Sequence, residues 1–156
     1  LATQLTAFTL QLEFAKAHGL PFIIHSVKST QIMLETLTKL APYPKGGMWH
    51  SFGGPSEILK TLQNLNIRIS FGGSITSPHS TKALKAAREA PTEQILIESD
   101  APDHPPKNWP NSLNEPASIS EIANTIAHIR NEDTHKFSEQ LFQNALDFYG
   151  ASQKRP

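Results

Sequence analysis

The sequence predicts an α/β fold of about four parallel strands with helices, as in the C-terminal part of a TIM-like (β/α) barrel. Three observations carry that reading. Short apolar runs alternate with segments of helical periodicity, and successive strands start every ~20–30 residues, enough for a helical crossover between parallel strands. Three of the four runs end in an acid or an imidazole, which is where α/β folds place their chemistry. The chain opens at Leu1 inside an apparent helix, so the first strands of a barrel, which normally takes about 250 residues, are expected to be missing. The other architecture compatible with four strands is a small doubly wound sheet.

The elements follow in order. Leu5, Phe8, Leu12 and Ala15 recur at helical spacing across a helix from about Gln4 to Ala17, closed by Gly19. Phe22-Ile23-Ile24-His25 reads as a buried strand. Ser29 is a candidate N-cap for a helix carrying Met33, Leu37 and Leu40. A second strand, Gly47 to His50, precedes a helix opened by Pro55 with Ile58, Leu62 and Leu65 inward. The third strand, Ile67 to Phe71, runs into Gly72-Gly73, and Ser77-Pro78 opens a helix around Ala83, Leu84 and Ala87. Ile95-Leu96-Ile97 is the fourth strand, apolar enough to be buried on both faces. A proline-rich loop, residues 101–113, leads to a helix with Ile119, Ile122, Ala123, Ile126 and Ile129 on one side. Either Asn114 caps it or Ser118 and Glu121 form a capping box. A last helix carries Phe137, Leu141, Ala145 and Phe148 and stops at Gly150. Residues 1–150 are thus read as one partial domain and 151–156 as a frayed tail.

Composition excludes several functions. Fourteen basic and fourteen acidic residues cancel, leaving no global footprint for nucleic acid or membrane. Without cysteine there is no disulfide, thiolate zinc site or cysteine nucleophile. No apolar run approaches the ~18 residues of a membrane span, and no signal-peptide pattern occurs. A cytoplasmic protein with no membrane partner is expected.

His25, His50 and Asp100 share one topological position, the C-terminal end of a predicted parallel strand. Two imidazoles and a carboxylate suit zinc, manganese or magnesium. Strand alternation points Glu98 the same way as Asp100. Glu98 either orients a ligand or is a paired core carboxylate. His18, His79, His104, His128 and His135 show no such placement and read as surface residues. Gly53-Gly54 and Gly72-Gly73 follow strands as phosphate-cradling glycines do, but no GxGxxG or P-loop signature accompanies them, and turn chemistry explains both pairs. Trp109 reads as a loop residue packed over the core.

These residues resemble the TatD family of metal-dependent deoxyribonucleases. Gly19 to His25 is similar to the family's LPVVIH strand, Met48 to Gly54 to HCFSG, and Ile69 to Gly73 to ISFSG. Ile95 to Pro102 is similar to LLLETDSP, Asn114-Glu115-Pro116 to RNEP, and Asn144 to Gly150 to NARRLFG. The resemblance implies that His25, His50 and Asp100 occupy metal-ligand positions, that Asp100 also activates the attacking water, and that Asn114 and Glu115 help build the rim. It implies divalent metal ions as cofactors and DNA as substrate. The family's N-terminal His-x-His-x-Asp strand and glutamate strand have no counterpart here. Val27 and Leu113 stand where the family carries basic residues. Two other readings stay open: hydrolysis of a different phosphoester or a carboxylic ester or lactone, and an inactive half barrel serving as a scaffold.

Overall fold

The computed structural model describes residues 2–111 and 113–150. Helix α1 (Ala2–Ala17) leads into β1 (Phe22–Ile24), α2 (Thr30–Leu40), β2 (Gly47–Trp49) and α3 (Leu59–Asn64). Next come β3 (Ile67–Phe71), α4 (Thr81–Glu89), β4 (Ile95–Ile97), α5 (Ile119–Arg130) and α6 (Thr134–Tyr149). The four strands form one parallel sheet in the order β1-β2-β3-β4. That order separates the two candidate architectures. With right-handed crossovers, strands added always on the same side place every connecting helix on one face, as in a barrel wall. A doubly wound sheet requires the order to reverse.

The sheet's two faces follow from strand alternation. Phe22, Ile24, Trp49, Ile67, Ile69, Phe71, Ile95 and Ile97 join the main core. Leu37 of α2, Leu62 of α3, Ala86 and Ala87 of α4, and Ile122 and Ile126 of α5 complete it. The opposite face carries a smaller cluster, Met48 and Leu96 under Phe148 of α6. Helix α6 is pinned there by Asn144, whose buried Nδ2 donates to Thr92 O at 2.7 Å and to Ile95 O at 2.8 Å. One inward residue of the edge strand, Ile23, remains 54% exposed.

Several element boundaries differ from the sequence reading, each for a local reason. β1 and β2 end one residue before His25 and His50. The Ser29 hydroxyl meets Ser26 Oγ at 2.8 Å instead of capping α2. A 3-10 turn, Gly73–Thr76, occupies the stretch before Ser77, and α4 starts only at Thr81 after the Ser80 hydroxyl has bonded to Ser74 O. Neither Asn114 nor Ser118 makes a side-chain cap to α5. Helix α6 is conventionally bounded: the Asp133 carboxylate accepts from Lys136 N, and Gly150 closes it with φ +69°. The expected 151–156 tail lies outside the described residues. Among the described residues, no helix is long and apolar enough to cross a membrane.

Candidate metal centre

The register aligns the C-terminal ends of the strands. Ile24 pairs with Trp49, Trp49 with Ile69, and Phe71 with Ile97. Since those residues face the helices, the next ones, His25 and His50, turn to the opposite face, along with Ser70 and Glu98. The rings of His25 and His50 lie 5.3 Å apart between centroids. His25 is exposed, whereas His50, Glu98 and Asp100 are half-buried.

His50 is fixed from one side. Its Nδ1 donates to Glu98 Oε2 at 2.8 Å, leaving Nε2 facing Asp100 Oδ1 at 3.6 Å. Glu98 has further donors: the Ser70 hydroxyl on Oε2 at 2.5 Å and the Ser51 backbone N–H on Oε1 at 2.8 Å. Both of its oxygens are thus engaged by protein donors. With the Glu98 carboxylate on Nδ1, it is Nε2 of His50 that keeps a lone pair free.

Asp100 arrives by a different route from the one strand alternation suggests. β4 ends at Ile97, and Asp100 sits in a left-handed turn at φ +57°. Ser51, after His50, is also left-handed at φ +48°. Non-glycine residues seldom adopt this conformation without surrounding contacts that impose it. For Asp100 those contacts centre on Asn114, which is 4% exposed. Its Nδ2 donates to Ser99 O and, at 2.7 Å, to Asp103 O, while its N–H donates to Pro102 O at 3.0 Å. Asn114 is therefore a buried staple of the Asp100 loop. Glu115 is exposed and accepts from Asn111 Nδ2 at 2.6 Å.

Gly73 brings the proline-rich loop alongside. A Cβ there would stand 2.2 Å from His104 O and 2.8 Å from Pro105 C. His18, His79, His104, His128 and His135 are all exposed. Trp109 is half-buried in the loop, with its indole N–H buried and unpartnered.

His50, Glu98 and Asp100 form a group that could hold a metal ion, offering ligand atoms within 4.8 Å of one another. The donor set is one imidazole with carboxylates and no thiol, which fits zinc, manganese or magnesium. Two ligands at about 2.1 Å in tetrahedral geometry stand about 3.4 Å apart, near the 3.6 Å between His50 Nε2 and Asp100 Oδ1. The sequence reading missed the Ser70 hydroxyl and the Ser51 N–H. The available signal for Ser70 was a small polar residue at an inward position of β3, level with His50.

Comparison with known proteins bears on the family and the fold. A family model described as TatD related DNase matches residues 1–150. A Bacillus subtilis protein named as an uncharacterized metal-dependent hydrolase, YabD, is 29% identical over 91% of this chain and 56% of its own length. An Erwinia billingiae protein named 3'-5' ssDNA/RNA exonuclease TatD is 27% identical over 94% of this chain and 58% of its own. The crystal structure of YjjV, a TatD homologue from Escherichia coli, superposes with a TM-score of 0.82 at 26% identity. That match covers 90% of this chain and 54% of YjjV. The chain thus spans a little over half the length of these relatives, and the matched fold is the portion of the barrel read from its strand order. On the family match, the strand order and the His50–Glu98–Asp100 group together, the chain belongs to the TatD-related family.

Proposed function

We propose that the chain supplies part of the active centre of a metal-dependent hydrolase that cleaves DNA phosphodiester bonds. The observation that carries the proposal is the line Glu98–His50–Asp100, an imidazole held by one carboxylate with its second nitrogen facing another. The Bacillus relative's name supports metal-dependent hydrolysis, and the Erwinia relative's name supports nucleic acid as the substrate class. In this reading His50 and Asp100 hold a divalent ion, and His25, beside His50, adds a ligand from the exposed side. When bound, such an ion polarises a phosphoryl oxygen and lowers the pKa of water toward neutrality. Glu98 keeps the proton of His50 on Nδ1, so that Nε2 is available as a donor atom. Asp100 accepts the proton of the attacking water, and the Asn114 staple keeps its carboxylate at the mouth of the sheet. Glu115 remains a rim residue.

The test is cleavage of end-labelled single-stranded DNA in magnesium or manganese by the protein that carries this chain, as wild type and as His50→Ala and Asp100→Asn. Each variant is expected to lose at least about a hundredfold in rate, the scale of losing general-base or ligand function. Undiminished cleavage by both would remove the site from consideration. Val27 and Leu113 are 67% and 65% exposed and present apolar surface beside His25 and Asn114. They favour, as a second reading, a small phosphoester or carboxylic ester; turnover of such esters with no cleavage of DNA would establish it.

A further inference from the structure

The strand between those that lead to His50 and to Asp100 contributes no ligand, yet one of its side chains touches both sides of the site. Ser70 lies on β3, between β2, which leads to His50, and β4, which leads to Glu98 and Asp100. It is 0% exposed. Its hydroxyl donates to Glu98 Oε2, the oxygen that also takes the His50 Nδ1 proton. Ser70 Oγ in turn accepts from Ser51 N at 3.2 Å. The Ser70 carbonyl accepts from Phe52 N at 2.8 Å, fixing the turn that follows His50 from a second point. A buried hydroxyl in an apolar strand costs free energy unless it is bonded, and here both its donor and its acceptor capacity go to the same site. The core itself gains little from a hydroxyl at this place, since Leu96, its register partner on β4, is apolar.

We infer that Ser70 is a positioning residue: through Glu98 and the Ser51 turn it sets the direction of the His50 ring, and so the affinity of the centre for its metal. This rests on the reading of His50 and Asp100 as metal ligands. Partners behind a ligating histidine typically change metal affinity by about 10–100-fold when removed.

The test is calorimetric titration of zinc into the full chain as wild type, Ser70→Ala, Glu98→Gln, the double variant and His50→Ala, with metal-free melting of each. Ser70→Ala is expected to weaken zinc binding about tenfold or more. Because Ser70 acts through Glu98, the double variant is expected to bind no more weakly than Glu98→Gln alone. A purely structural hydroxyl would lower the melting temperature and leave the affinity unmoved. If His50→Ala loses binding while Ser70→Ala binds as wild type does, or if the two losses simply add, the Ser70 inference is overturned and the metal reading stands. If the wild type binds no zinc, or His50→Ala binds it equally well, the metal reading fails. Ser70 is then judged on the metal-free chain by nitrogen-resolved NMR of the His50 ring. A single tautomer protonated on Nδ1 that becomes a mixture in Ser70→Ala retains the positioning role; identical spectra overturn it.

Discussion

His50 shows how a backbone position becomes chemistry. Its ring has two nitrogens, and the neighbours distinguish them: Glu98 lies at 2.8 Å from one and Asp100 at 3.6 Å from the other. The first distance is a hydrogen bond and the second leaves room for an ion. The placement of Asp100 depends in turn on Asn114. Replacing Asn114 by alanine strands the Ser99 and Asp103 carbonyls and removes three side-chain hydrogen bonds. A loss of about 2–4 kcal/mol in stability is expected from chemical denaturation, with a larger proportional loss of activity than of folded protein. Glycines beside the site make a sharper contrast. Gly73→Ala would drive a methyl into the backbone of His104 and Pro105, whereas at Gly72 the nearest atom, Asp100 Oδ2, is 3.4 Å away. Melting curves are expected to show Gly73→Ala strongly destabilised and Gly72→Ala close to wild type.

At the scale of elements, the four parallel strands were legible because apolar runs bounded by glycine and proline leave few alternatives. The neighbouring placement of His25 and His50 follows from the same runs, since each comes one residue after such a strand. The approach of Asp100 was not legible, because a left-handed turn held by an asparagine from residue 114 leaves no local signature in Glu98-Ser99-Asp100. Ser70 was invisible for a related reason, since a serine in a strand is unremarkable until its neighbours' contents are known. Helix starts were also poorly legible: Ser29, Ser77, Asn114 and Ser118 are all plausible caps, and in each case other contacts or a 3-10 turn prevail. Arg130 illustrates a contact that only packing reveals. Its guanidinium donates to the Ala87 and Ala90 carbonyls at 2.8 Å each and to Thr92 Oγ1 at 2.8 Å. It thus joins the end of α5 to the end of α4. Arg130→Met is expected to cost about 2–3 kcal/mol by leaving those carbonyls unpaired, measured by urea unfolding.

At the scale of the molecule, a sequentially ordered parallel sheet gathers residues 25, 50, 70, 98 and 100 at one end while α6 closes the other with Phe148. The apolar closure and the His50–Glu98–Asp100 group therefore lie at opposite ends of the strands, the arrangement typical of barrels. Tyr43 belongs to the packed side: its buried hydroxyl donates to Leu37 O, and burial pushes its pKa up from 10.0 to about 12. Because the folded value lies above the unfolded one, the contribution is intact below pH 10 and is lost as pH rises through about 12. Alkaline unfolding followed by circular dichroism is expected to steepen over that window, and Tyr43→Phe is expected to flatten it.

Anomalous diffraction from crystals grown with manganese locates the ion that the proposed function requires. A peak bound by His50 Nε2 and the Asp100 carboxylate at about 2.1–2.2 Å is expected, with Glu98 still on His50 Nδ1. A peak coordinated by Glu98 with His50 turned away, or a fully bound crystal with no peak at the ends of β2 and β4, would contradict the proposal.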